Sequence, residues 1–206
     1  MSYSRFTLEE VLTKFNLNVV EKLGKFNQLP EVSPSKFIQE ALEYYLPLAV
    51  AIASEKARSE FIIAPILAEV KKISNNQISL FSGIEFNVNP ELGLNSFCDF
   101  IISLSAQQIV LKAPVIILVE AKNDNLRNGL AQCIAEMVAA QIFNHSKGKE
   151  ISKIYGVVTT GTAWQFLELE AQTIIIDLEE YSVYNLPKIL GILNSFVSIQ
   201  FLNMVE

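Results

Sequence analysis

Histidine occurs once, at position 145, and cysteine only twice in a chain of 206 residues. A single imidazole excludes a multi-histidine metal site and argues against a Ser-His-Asp hydrolase. Cys98 and Cys133 sit inside apolar segments without metal-site spacing, so they read as small buried hydrophobes of a reducing compartment. Charge is sparse too, at 18% of residues against 50% hydrophobic, which excludes a disordered chain and leaves a packed globule. No run approaches the roughly 18 apolar residues of a membrane helix. The nearest, Tyr44 to Ser54, is short and contains Pro47. The first residues carry acids and a helical rhythm rather than a basic start and an apolar stretch, so the expected location is the cytoplasm, away from membranes. A Gly-rich phosphate loop, a dinucleotide fingerprint, internal repeats and low-complexity tracts are all missing, which removes the classes built on them.

Positive charge is also short. Sixteen Lys and Arg against 22 Asp and Glu give a net charge of −6, so any affinity for nucleic acid should be modest and salt-sensitive. Carboxylates gathered for a metal account for part of that acidity, and a bound divalent ion would reverse the local field.

What is present is a patterned α/β chain. Residues 5 to 30 read as a short amphipathic helical region closed by Gly24 and Pro30, and a helix starts near Ser35 and is expected to kink at Pro47. A second helical stretch runs from about Leu48 to Lys72, with a bend at Pro65. Period-two alternation then marks a strand from Ile78 to Val88, with a bulge expected at Gly83. Two apolar strands follow, one around Phe97 to Ile102 and one from Val115 to Ala121. A helix spans Asn125 to Phe143. Strands are expected at Ile154 to Val158 and Ile174 to Leu178, with Gln165 to Leu169 as a hairpin partner, and an apolar helix closes the chain from Leu186 to Asn203.

The chemistry is concentrated in two of these strands. Asp99 lies within the run Phe97-Cys98-Asp99-Phe100-Ile101-Ile102, and the buried strand Val115 to Val119 delivers Glu120 and Lys122 to one place. Side chains on a strand repeat with period two, so Lys122 falls on the same face as Glu120. Glu69-Val70-Lys71 spells the same Glu-x-Lys pattern on a helix, where that spacing separates the side chains. Two carboxylates and a backbone carbonyl suit Mg²⁺, which prefers oxygen ligands and keeps several waters, and such an ion assists phosphodiester hydrolysis.

At these residues the chain resembles the PD-(D/E)XK nuclease superfamily, over roughly residues 50 to 180. The resemblance implies a restriction-endonuclease-like αβββαβ core at residues 48–180, with a mixed central sheet flanked by helices, an N-terminal helical extension (1–47) and a C-terminal helix (181–206), all in one domain. It implies Mg²⁺ or Mn²⁺ at Asp99, Glu120 and the Ala121 carbonyl, with Lys122 assisting the water. Glu55 on the first core helix would be a further ligand, Glu60 being the other choice, and Gln132 on the following helix would support the site. Glu136, four residues on, is left open between this row and a solvated stripe. Cys98 stands where the family name has proline. The expected substrate is DNA rather than RNA. The alternatives are a non-catalytic module of the same fold, or a subunit that gains DNA affinity from a partner or a homodimer, for which the Leu186 to Leu202 helix is one candidate surface, although burial against the sheet is its expected place. His145, Lys147, Lys149 and Lys153 form a basic cluster read as a solvated loop.

Overall fold

The period-two segments pair into a single mixed sheet in the computed structural model, which describes residues 2–203. Eight strands form it: β1 (Asn18–Lys22), β2 (Ser79–Glu85), β3 (Phe97–Ser103), β4 (Val115–Ala121), β5 (Lys153–Thr159), β6 (Ala163–Glu170), β7 (Thr173–Asp177) and β8 (Tyr181–Ser182). They lie in the order β1-β7-β6-β5-β4-β3-β2, with β8 on β6. The pairs β1/β7 and β4/β5 are parallel and the others antiparallel. Every residue of β4 is buried, as its continuous apolar run requires of a central strand.

Among the described residues six α-helices flank the sheet: α1 (Leu8–Lys14), α2 (Lys36–Ile52), α3 (Glu55–Arg58), α4 (Ala64–Ile73), α5 (Arg127–Ser146) and α6 (Leu186–Asn203). One core holds Ile38 and Leu42 of α2, Ile66 and Leu67 of α4, and Leu193 and Phe196 of α6 against Val119, Val157 and Phe166 of the sheet. The other holds Val11 of α1 and Leu130, Ile134 and Met137 of α5 against Leu118, Val158 and Leu167. The sheet is therefore covered on both faces, and α4 to β5 run in the order helix, three strands, helix, strand.

Several expectations are corrected. Residues 1–47 are not a helical extension: α1 ends at Lys14, and residues 18–22 form β1, hydrogen-bonded into the sheet edge beside β7. A capping box at Thr7 and Glu10 starts α1, and Asn16 at φ 51° turns the chain towards β1. Pro47 does not interrupt α2. It costs one N–H, but Pro47 and Glu43, whose carbonyl loses that donor, both face water. The helix breaks instead at Ala53, which is left-handed at φ 57°, after which Ser54 caps α3 by accepting from Ala57 N at 3.1 Å. The expected bend at Pro65 takes the form of a π turn at Ser59–Ile63 just before it, where Ala64 N donates to Ser59 O.

Gly83 is not a bulge. Its neighbours pair in one unbroken register, Ser82 with Phe100 and Ile84 with Cys98, and Gly83 sits opposite Asp99 with φ +61°. The register shift lies between β3 and β4, where Ile102 pairs with Ile117 but Ser103 with Val115. At the sheet edge, the Gln108 side-chain amide accepts from Leu80 N and donates to Leu80 O, occupying the open side of β2. The α6 helix buries Ile189, Leu190, Ile192, Leu193, Phe196 and Val197 in the core, so it offers no apolar docking face there. Gly191 lets α6 approach the Pro30–Glu31 backbone, since a Cβ would meet Pro30 O at 2.0 Å. Among the described residues no helix is long and apolar enough to cross a membrane.

Candidate functional site

Asp99, Glu120, Lys122 and Gln132 come together where β4 ends beside β3 and α5. Strand periodicity does the first part: Lys122 Nζ, two residues beyond Glu120, donates to Glu120 Oε1. Lys122 N also donates to Thr159 O at 2.8 Å, which continues the β4/β5 ladder and fixes the backbone there. Asp99 Oδ2 accepts from Ala121 N at 2.8 Å, so the two strands are tied by a carboxylate at the site itself. From α5, Gln132 Nε2 donates to Glu120 Oε2 at 2.8 Å and to Glu136 Oε1 at 3.1 Å. Gly129, one turn before Gln132, permits this approach, because a Cβ would meet Val158 at 2.6 Å, Lys122 at 3.2 Å and Glu120 at 3.3 Å.

The acidic wall of the site is on the other side. A cleft of about 270 Å³ is lined by Asp99 and Ala121 on the strands, Ser82 and Gly83 on β2, and Glu55, Lys56, Ser59 and Glu60 on α3 and the π turn. Glu55 and Glu60 both face it, although an α-helix would turn positions five apart by about 140°. Glu60 reaches the cleft from the start of the π turn at Ser59–Ile63, and Glu55 from the first position of α3. Glu60 is paired with Lys56 at 2.8 Å. The charge of Glu55 is felt at both Glu120 and Lys122, which makes it the carboxylate coupled to the centre.

Electrostatics at the centre are set by burial. Glu120 is 1% exposed, and desolvation, followed by the charge of Asp99, raises its pKa to about 8. Desolvation also raises Asp99, against the stabilising Ala121 N–H. Burial works against the Lys122 ammonium, but the Glu120 carboxylate overrides it and the net shift is upward. Glu136 is completely buried, with one oxygen lacking a partner, and desolvation followed by the charge of Glu120 pushes it well above the carboxylate range. Two buried carboxyls and the half-buried Asp99 face one ammonium, so burial and mutual repulsion favour protonated carboxyls within the cluster.

The open choice at Glu136 is thereby resolved: it is a buried partner of Gln132, not part of a solvated stripe. Its signal in the sequence was the i, i+4 step from Gln132 among the small residues Ala135, Ala139 and Ala140. Arg58, not singled out from the sequence, bridges α3 to the end of β5 by donating to Thr160 O at 3.0 Å. The Glu69–Lys71 decoy is split as expected, with Glu69 accepting from Ser35 N and Lys71 donating to Ile78 O. The basic cluster lies towards the other end of α5. His145 pairs there with Glu150 at 2.9 Å, and Lys153 pairs with Glu168 at 3.0 Å.

Among the described residues no three Asp, Glu, Cys or His side chains form a group that could hold a metal ion. Glu55 thus stands in the cleft wall, apart from the Asp99 and Glu120 pair. No protein-family model matches the chain, and no curated protein sequence matches it.

Proposed function

We propose that this chain is a divalent-metal-dependent phosphodiesterase, a nuclease of the PD-(D/E)XK type with a restriction-endonuclease-like core, acting on DNA in preference to RNA. The observation that carries the reading is the convergence of Asp99, Glu120 and Lys122 at the ends of two adjacent strands, with Gln132 holding Glu120 from α5. The αβββαβ order of α4 to β5 supports the same family.

The residues suit a hard cation. Asp99 and Glu120 form a desolvated pair whose mutual repulsion raises Glu120, and such a pair is relieved by positive charge. Two carboxylates and the Ala121 carbonyl leave the remaining positions to water, as Mg²⁺ or Mn²⁺ tolerates. When bound, the ion would stabilise charge on the phosphate and acidify a water. Lys122 is kept as an ammonium by Glu120, so it donates a hydrogen bond to the phosphate or water rather than taking a proton. Gln132 fixes the Glu120 carboxylate, and Glu55 forms the outer wall of the cleft.

The test is calorimetric titration with Mn²⁺ of the wild type, Asp99→Ala and Glu120→Ala, followed by cleavage of supercoiled and single-stranded DNA with and without chelator. Saturable binding lost in both variants, with chelator-sensitive nicking, supports the nuclease. A specific feature favours a non-catalytic module as second reading: both Glu120 oxygens are already taken, by Lys122 and Gln132. Folded wild type that neither binds Mn²⁺ nor cuts DNA would select that reading.

A further inference from the structure

A glycine in the interior of a strand marks a bulge, a close approach by another part of the chain, or room kept for a ligand. Gly83 in β2 is no bulge, because Ser82 pairs with Phe100 and Ile84 with Cys98 without a shift. It serves no close packing either, since a Cβ built there meets no described atom within 4 Å. Its φ of +61° is a region that Asn also enters, so conformation alone does not demand glycine. What sets Gly83 apart is its place. The β2/β3 register puts it opposite Asp99, and the β3/β4 register, in which Phe100 pairs with Val119, puts Asp99 opposite Glu120. Gly83, Asp99 and Glu120 thus form one row across adjacent strands, and the bare backbone of Gly83 stands at the end of the row that lines the cleft beside Asp99.

We propose that the nucleotide next to the scissile phosphate lies over Gly83, and that the missing side chain there admits a nucleic acid strand to the Asp99 and Glu120 pair. This rests on the nuclease reading and adds to it the part of the substrate that the cleft receives. Charge says which part that is. Glu55 and Glu60 stand across the cleft from Gly83. Glu60 is paired with Lys56, and Glu55 is in no ion pair among the described residues. Such a wall repels a phosphate, while its carboxylates accept hydrogen bonds. The group over Gly83 is therefore the uncharged sugar and base, whose N–H and O–H donors can face the carboxylates. The hydroxyl-bearing residues Ser59 and Ser82 line the same space. A side chain at position 83 would take the room of that nucleoside. It would obstruct a polynucleotide but not a small diester held at the carboxylate pair alone.

The test compares steady-state cleavage of a single-stranded oligonucleotide and of methyl 4-nitrophenyl phosphate, both with Mn²⁺, by the wild type, Gly83→Asn, Gly83→Ala and the control Gly148→Asn. Gly148 has φ +64° and equally open surroundings just past the far end of α5, so it makes the same conformational demand away from the site. Asn tolerates the left-handed backbone and adds a side chain. The KM of Gly83→Asn for the oligonucleotide is expected to rise about tenfold or more, with kcat/KM for the small diester within about twofold of wild type. Its calorimetric Mn²⁺ affinity and thermal midpoint should not change. Gly83→Ala, which adds one methyl group, should show a smaller rise in the same ratio, and Gly148→Asn should match the wild type on both substrates. An unchanged oligonucleotide KM in folded Gly83→Asn and Gly83→Ala, or equal losses on both substrates, would overturn the proposal and leave the nuclease reading standing. A wild type that cleaves neither substrate would overturn the nuclease reading and the proposal with it.

Discussion

Gln132 and Glu120 are joined by a 2.8 Å hydrogen bond that fastens the first half of α5 to the end of the fully buried strand β4. Gln132 divides its amide between Glu120 and Glu136, so the orientation of the Glu120 carboxylate is tied to Glu136, which is fully buried. Gln132→Ala is expected to lower Mn²⁺ affinity by about 10- to 100-fold, as loss of groups that orient metal ligands does, with little change in thermal midpoint. Calorimetry and a melting curve on the same sample measure both.

Lys122 and the carboxylates should separate in their effects. Lys122→Ala is expected to leave Mn²⁺ affinity within about tenfold while reducing DNA cleavage by about 10²-fold or more, in the range of groups acting in the transition state. Glu120→Ala should remove both. Parallel titrations and single-turnover cleavage assays distinguish these patterns, and a Lys122→Ala protein with full activity would remove the lysine from the mechanism.

The metal-free protein should lose stability as pH rises. Glu120 goes from 4.5 to about 8 on folding, so between these values the unfolded chain gives up a proton that the folded chain retains, and unfolding is favoured. Glu136 and Asp99 act in the same direction. Lys122, also raised, titrates above 10.5 and lies outside this window. The thermal midpoint in chelator should therefore fall from pH 5 to pH 8 by at least about 2 °C, and Glu120→Gln should flatten the slope. A midpoint that rises over this interval would show that the buried carboxyls are charged in the native state.

Gly129→Ala tests the close approach of α5 to the site. Its Cβ would lie 2.6 Å from Val158 and 3.3 Å from Glu120, so the helix must retreat at a cost of about 1–3 kcal/mol. The expected outcome is a lower thermal midpoint together with weaker Mn²⁺ binding. Ala139→Gly on the same helix should lower stability by about 2 kcal/mol, through propensity and the loss of a buried methyl, and leave binding intact.

The sheet and the centre of the site were legible because they are written in short-range patterns. The apolar run before Glu120 predicts a buried strand, and period two puts Lys122 beside it. Gln132 and Glu55 came from the family resemblance; Gln132 bonds Glu120, whereas Glu55 lines the adjoining cleft with Asp99. What escaped depends on distant partners. Strand β1 has only Val19 and Val20 to mark it, and its pairing partner β7 lies about 150 residues further on. Pro47 looked like an interruption because the cost of its missing N–H depends on solvent exposure, which sequence alone does not give. The role of Glu136 was hidden because a helical acid is usually solvated, and only the packing of α5 on the sheet removes water from it.

The Gln108 side chain, bonded to both backbone groups of Leu80, acts as a one-residue surrogate strand. A free sheet margin invites another molecule to zip onto it, and here the first rung of that ladder is already taken. A strand arriving at β2 must displace that amide before its rung at Leu80 can form.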